Sequence, residues 1–404
     1  MVGVRVKSEI GELKKVLLHR PGRELLNLTP DTLGELLFDD IPFLRIARQE
    51  HEAFAKVLED NGAEVVYLED LMAEVLDMFP ETRKPFLRQY VSEACIRTDF
   101  YSRLIYDYLD GSFPSSRELV LKTMEGVCLS EIRVDRKFLV DFVSDDSKMV
   151  IAPMPNLYFT RDPFATIGSG ISLNKMFSET RRRETLYGEY IFRHHPDFSA
   201  VAKYYNRSFP FHIEGGDILN FTDKILAIGI SQRTEPDAIE LIAKNIFAST
   251  SPVEKILAFD IPKLRAFMHL DTVFTQIDGD KFTVHPGVLD HLKVFELTPS
   301  EKGGNNIREI DGSLENILSE CLGYKVELIR CAGGDRIASE REQWNDGSNT
   351  LCISPGTVVV YDRNEVTNDL LRKRGVNVLE VPSSEISRGR GGPRCMSMPL
   401  WREG

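Results

Sequence analysis

Three stretches of this chain share one layout, and that repetition limits the folds open to it. In "NLYFTRDPFATIGSGISL" an apolar run, a glycine turn and a second apolar run lead into a basic helix, "SETRRRETLYGEYIF". The same order returns in "GGDILNFTDKILAIGISQRTEPDAIELIAKNIF", and again in "GSNTLCISPGTVVVYDRNEVTNDLLRKRG" followed by "NVLEVP". Each copy reads as strand, turn, strand, a short polar or arginine-bearing link, helix, and often one more strand. A recurring supersecondary unit implies modules set radially or in a line, not one doubly wound sheet. The period is irregular, so the pattern alone leaves the number of modules open.

The start of the chain is also mixed α/β. "VRVKSE" and "KKVLLHRPG" read as two strands separated by Gly11 and closed by Pro21-Gly22. Phe43, Ala47, Phe54, Val57 and Leu58 recur at helical spacing, Asn61-Gly62 supplies a stop, and a strand, "AEVVYL", follows. From about Ala73 to Val143 strand signals thin out. "FLRQYVSEACIRTDFYSRLIYDYLDG" and "SSRELVLKTMEGV" carry helical periodicity, with Ser115 or Ser116 placed to cap the later helix. An all-helical block inside an α/β chain reads as an insertion, serving as lid, dimerisation element or packing layer. The expected division is residues 1–72 and 144–404 as one α/β body, with 73–143 as the helical insertion.

Composition narrows the function classes. A chain of 404 residues can bury a large core, and 42% hydrophobic with 28% charged residues is the balance of an ordinary folded protein. A net charge of −12 argues against general nucleic-acid binding and suits a cationic small molecule. The six cysteines are widely spaced with no CxxC pair, so neither a disulfide framework nor a structural zinc site is expected. The first residues lack a long apolar segment and no 18 apolar residues run together, so the expected location is cytoplasmic, without a membrane partner.

Charged residues interrupt strand-like runs in three places. "PMPNLYFTRDPFA" carries Asn156, Arg161 and Asp162, and "FHIEGGDILNF" sets Glu214 and Asp217 around two glycines. "AFMHLDTVFTQID" carries His269 and Asp271 two apart, which on a strand would place both on one face. Burying charge is costly unless it is paired or used. A fourth feature is the terminal "EISRGRGGPRCMSMPLWREG", where glycines and arginines crowd around Cys395. Arginines near a thiol favour its thiolate. Taken singly, each residue has a bland account: a core histidine, a turn beside Gly215-Gly216, an Arg161–Asp162 pair, a small buried cysteine. Together, a thiol, a proton-moving histidine and several carboxylates suit attack on a planar cationic carbon, because carboxylates meet guanidinium N–H groups bidentately.

With these motifs in hand, the chain resembles the arginine deiminase family of the guanidine-modifying superfamily. The resemblance rests on "NLYFTRDPFA", "HIEGGDIL", "MHLDTVFT" and "SRGRGGPRCMSMPL", and extends from "LLHRPG" and "LLFDDIPFL" near the start to the terminal cysteine. It implies a five-bladed α/β propeller of pseudo-fivefold symmetry with an inserted α-helical bundle. It further implies hydrolysis of free L-arginine to L-citrulline and ammonia through an amidino-cysteine intermediate. By the same resemblance Cys395 is the nucleophile and His269 moves the protons. Asp162 and Asp271 hold the guanidinium, while Glu214 pairs with it or orients His269. Asn156, Arg181 and Arg233 read the α-amino acid end, Arg390 closes over it from a loop hinged at Gly389, Gly391 and Gly392, and Asp217 supports the substrate contacts from behind. For Arg394 three readings stay open: it tunes the thiol, pins the loop, or only faces water. No metal or organic cofactor is implied, and a homodimer or larger homo-oligomer is.

Two kinds of rival stand beside this reading. Dimethylarginine hydrolase, agmatine deiminase and arginine:glycine amidinotransferase share the chemistry. The carboxylate-reading arginines weigh against agmatine, and the whole-chain match with its helical insertion weighs for arginine. A catalytically silent arginine sensor is the rival of another class, and the complete set Cys395, His269, Asp162, Asp271 and Glu214 weighs against it.

Overall fold

The computed structural model describes residues 2–404 except 97, 133–138, 140–146, 290 and 291. It is a mixed α/β fold in which one three-stranded pattern recurs. A hairpin of two antiparallel strands is followed by a helix, and the chain returns to lay a third strand parallel to the second. Among the described residues five sheets share this pattern. The first holds Phe164–Ile167, Gly170–Leu173 and Ala202–Tyr205, with the helix Thr185–His194 in the crossover. In the second, Ile218–Asn220, Ile225–Ile230 and Lys255–Asp260 flank the helix Pro236–Phe247. The hairpin Lys293–Pro299 and Asn305–Ile310 extends that sheet. The third holds Phe274–Gln276, Lys281–Val284 and Glu327–Arg330, and the fourth Leu351–Ser354, Thr357–Tyr361 and Asn377–Val381.

The fifth unit joins the two ends of the chain. Met398–Glu403 pairs antiparallel with Glu12–Leu18, which runs parallel to Glu64–Tyr67, and the helix Leu44–Asp60 makes the crossover. This sheet is held at its edge by a fully buried arginine. Arg402 donates to the Gly11 carbonyl at 2.7 Å and to the Cys352 carbonyl at 2.8 Å. The segment read as a first strand, "VRVKSE", forms only isolated bridges, Arg5 with Trp401 and Val6 with Gly168.

Helices Leu68–Met78, Arg83–Glu93, Asp99–Ser112 and Ser116–Glu125 follow one another before a short strand, Val127–Cys128. The Ser115 hydroxyl caps the last helix by accepting from the Glu118 amide. Helix thus begins at Leu68, ahead of the expected boundary at residue 73, and the expected boundary at 143/144 lies outside the described residues. The helical block shares one apolar core with the first unit: Phe86, Tyr90 and Ile105 pack in the same cluster as Phe164, Tyr187 and Ile191. Among the described residues no helix is long and apolar enough to cross a membrane.

Candidate active site

Each three-stranded unit is preceded by a short irregular segment, and four of these segments bring polar or charged residues to one region. Asn156 and Asp162 precede Phe164–Ile167; Glu214 and Asp217 precede Ile218–Asn220; His269 and Asp271 precede Phe274–Gln276; Arg390 and Cys395 precede Met398–Glu403. Asn156, Asp162, Arg181, Arg233, His269, Arg390 and Cys395 line the cleft, with Leu37, Phe159 and Met268 as its apolar wall. The segments pack closely enough to demand glycine. A Cβ on Gly215 would stand 2.0 Å from the Arg161 carbonyl, and one on Gly216 2.7 Å from the His269 ring. The pair does lie in a single helical turn, Gly215–Asp217, and close approach adds a second reason for glycine there.

His269 does not sit on a strand. It caps a four-residue helix, Leu270–Val273, and its carbonyl accepts from Thr272 Oγ1 at 2.7 Å. The two-residue spacing to Asp271 therefore does not put both side chains on one sheet face. His269 Nε2 lies 2.8 Å from Glu214 Oε2, and Nδ1 lies 3.9 Å from Asp162 Oδ1. Burial opposes a charge on the ring, but Asp162, Glu214 and Asp217 outweigh it and raise the His269 pKa to about 9. Burial likewise pushes Glu214 up, yet Arg233 and His269 bring it down to about 2. At neutral pH the pair is an imidazolium against a carboxylate.

The two aspartates differ in what they leave free. Asp162 Oδ2 accepts from Arg181 Nη1 at 2.8 Å, while Oδ1 is buried without a hydrogen-bond partner among the described residues. An unpaired buried carboxylate oxygen facing a cleft is a receptor for a donor. Asp271 Oδ2 accepts from Arg394 Nη1 at 2.7 Å, and its two oxygens lie 3.7 and 3.9 Å from the Cys395 sulfur. Asp217 points away from the cleft. Its carboxylate accepts from Ser231 Oγ, Thr234 Oγ1 and the Leu270 amide at 2.7, 2.6 and 2.8 Å, so it fastens the turn carrying His269.

The arginines also separate. Arg181 is held by Glu184 through its Nε at 3.0 and 3.1 Å besides Asp162. Arg233 pairs with Glu214 through Nη1 at 3.8 Å, but its Nε and Nη1 are buried without hydrogen-bond partners among the described residues, leaving donors for a second anion. Arg390 adopts a left-handed backbone, φ 62°, and lies 3.5 Å over the Trp344 ring, with Nη1 3.4 Å from Asp39 Oδ2. Asn156 faces the cleft while its Nδ2 donates to the Leu36 carbonyl at 2.8 Å.

The environment of Cys395 departs from expectation. Burial, then Asp271, Asp162 and Asp346, push its thiol well above the usual range. Arg394 does not offset them, because its guanidinium is committed to Asp271, to Glu9 Oε2 at 3.0 Å and to the Ile218 carbonyl at 2.8 Å. The glycines before the thiol have a packing reason as well. A Cβ on Gly389 would meet Tyr158 Oη at 2.1 Å, and one on Gly391 the Phe159 ring at 2.4 Å.

Sequence reading passed over Glu9, Glu184, Asp346 and Asn349. Glu184 stands one helical turn after Arg181, a signal that was there to use; the other three carry none, since their partners lie far away in the chain. Asp162, Glu214 and His269 also bring one ligand atom each within 4.8 Å of one another. With His269 protonated against Glu214, the ring has no lone pair to offer a metal, and the set already holds its cation in the imidazolium.

Comparison with known proteins agrees with this geometry. A family model described as arginine deiminase matches residues 34–402. A protein of Treponema denticola named arginine deiminase is 62% identical over 100% of this chain and 99% of its own length. One of Streptococcus sanguinis with the same name is 54% identical over 99% of this chain and 98% of its own length. Among solved structures, a dimethylarginine dimethylaminohydrolase aligns with TM-score 0.52 and 15% identity over 96% of this chain and 99% of that one. The N-terminal domain of a cyanobacterial arginine dihydrolase aligns with TM-score 0.54 and 12% identity, covering 96% of this chain and 98% of that one. These distant structures share the fold. A family match over residues 34–402 that spans the cleft, and a relative 62% identical along the whole length, show that the chain belongs to the arginine deiminase family.

Proposed function

We propose that the protein hydrolyses free L-arginine to L-citrulline and ammonia through a covalent bond to Cys395. The observation that carries this is the unpaired Asp162 oxygen in a cleft also lined by Cys395 and His269, with Asp271 3.7 Å from the Cys395 sulfur and Glu214 2.8 Å from His269. A guanidinium placed between the aspartates presents its N–H groups to both and its central carbon to sulfur. Its positive charge counters the carboxylates that raise the thiol pKa, so substrate binding itself favours the thiolate, the thiol proton leaving to solvent. Sulfur then bonds to the guanidinium carbon, and the C–N bond breaks as His269 gives the departing nitrogen its proton. Ammonia and a cationic amidino-thioether result. In the second half His269 takes a proton from water, the oxygen bonds to the same carbon, and the C–S bond breaks, its electron pair and the proton left on that oxygen together restoring the Cys395 thiol as the citrulline C=O forms.

At the other end of the substrate, Arg233 and Arg181 receive the α-carboxylate, Asn156 supports it, and Arg390 moves from Trp344 to cover the amino acid. The same reading gives the five units a propeller arrangement of pseudo-fivefold symmetry, supported by their common strand pattern and by the pairing of the last strand with the first. The helices from Leu68 to Glu125 are an insertion on it, and by the family resemblance two or more copies form the working assembly. The experiment is release of citrulline and ammonia from arginine, compared with agmatine and methylated arginines. Cys395→Ser is expected to bind arginine and release no citrulline; turnover by that variant refutes the mechanism, and binding without turnover in the unaltered protein would make it a sensor.

A further inference from the structure

Four of the five segments that precede the units carry a residue with a part in the proposed reaction. The fourth, between the helix Arg336–Trp344 and the strand Leu351–Ser354, carries none. Its Asn349 is nevertheless almost fully buried, and both ends of its amide are engaged. Oδ1 accepts from the Arg394 amide at 3.1 Å and from the Cys395 amide at 3.3 Å, and Nδ2 donates to the Asp271 carbonyl at 3.0 Å. These partners fix the amide's orientation, since a flipped group would turn its NH2 toward two N–H donors. The loop before the nucleophile is pressed against the same side chain: a Cβ on Gly392 would stand 2.6 Å from Asn349 Oδ1.

One side chain therefore ties the backbone of the nucleophile to the backbone of a guanidinium-holding carboxylate. We propose that Asn349 is a positioning residue that sets the spacing and alignment of Cys395 and Asp271, acting on the chemical step and not on substrate affinity. The proposal rests on Cys395 being the nucleophile. Displacing reacting groups by a fraction of an ångström costs rate far more than binding. Asp162 and Asp346 also bear on the thiol, but neither spans the two backbones.

The test uses Asn349→Asp, which keeps the acceptor, loses the Nδ2 donor and adds a charge near the thiol, and Asn349→Ala, which removes both bonds. Each is measured for kcat and KM on arginine, and for the pH dependence of inactivation by iodoacetamide without substrate. The expected result is a kcat lower by about 10- to 100-fold with KM within about threefold, and alkylation of Asn349→Asp displaced to higher pH. A wild-type kcat in Asn349→Ala, a loss confined to KM, or a kcat loss in Asn349→Ala that tracks unfolding and is absent from Asn349→Asp overturns the proposal. Cys395→Ser separates the two levels. If it turns over, the underlying reading fails; if it is dead while the Asn349 variants retain wild-type kcat, only this inference fails.

Discussion

At the scale of single residues, what was legible was charge in the wrong place. Asp162, Glu214 and His269 interrupt apolar runs, and Cys395 follows an arginine-rich loop, so each drew notice from the sequence alone. Asp346 did not, because in "QWNDGSNT" an aspartate before glycine reads as an ordinary turn. In the structure it is buried at φ 59°, and its Oδ2 has no hydrogen-bond partner among the described residues. Burial, only partly opposed by Arg390 and Arg363 and reinforced by Asp271 and Asp39, raises its pKa from 3.8 to about 7. Between those values the folded state holds a proton that the unfolded chain releases, so stability from this group is greatest at low pH and falls as pH rises toward 7. Relative to the wild type, Asp346→Asn should gain stability by about 1.4 kcal/mol per pH unit from about pH 4 to pH 7, so that its advantage at pH 8 exceeds that at pH 5 by about 3 kcal/mol, read from denaturant midpoints. A gap that does not change with pH rules this account out.

Elements were legible where their apolar period was long. The helix Leu44–Asp60 and the hairpins of the repeated units fall where periodicity placed them, whereas the short turn holding His269 imitated a strand. Tethers between elements left no local trace. Glu50, on the helix Leu44–Asp60, accepts from the Ser384 amide and hydroxyl at 2.7 and 2.6 Å and from the Glu385 and Ile386 amides at 2.9 Å each. It fixes the base of the loop that carries Arg390, across a sequence separation of 334 residues. Glu50→Ala would strip three backbone donors of their acceptor, at a cost of about 1–3 kcal/mol for each one that stays buried. The expected outcome is faster amide exchange over residues 384–392 and a several-fold higher KM for arginine, with kcat changed less. Unaltered exchange in that loop would show that the tether is dispensable.

At the scale of the whole molecule, the repeat and the helical block were legible, but not what binds the block to the units. The strand Glu12–Leu18 ends at His19, which is fully buried between two carboxylates: Nδ1 lies 2.7 Å from Glu69 Oε2 and Nε2 3.2 Å from Glu24 Oε1. Glu69 belongs to the helix Leu68–Met78, and from there the chain of ion pairs continues. Arg20 reaches Glu69 and Asp70 at 3.1 and 3.0 Å, and Arg117 of the helix Ser116–Glu125 reaches Asp70 at 2.7 Å. Burial opposes the His19 charge, but Glu69 and Glu24 overcome it and raise its pKa from 6.5 to about 10, while His51 nearby is brought down to about 3 by burial and by the His19 charge. A raised folded pKa stabilises the fold fully below the unfolded value and loses that effect as pH climbs toward 10. His19→Gln should therefore be less stable than the wild type by a few kcal/mol at pH 7, read as a lower urea midpoint, and the gap should narrow steadily between pH 7 and pH 10. Breaking a buried pair leaves Glu69 uncompensated, so the variant's deficit should in turn ease in Glu69→Gln combined with His19→Gln. If the gap stays constant to pH 10, the imidazolium is not what joins the helical block to the first strand.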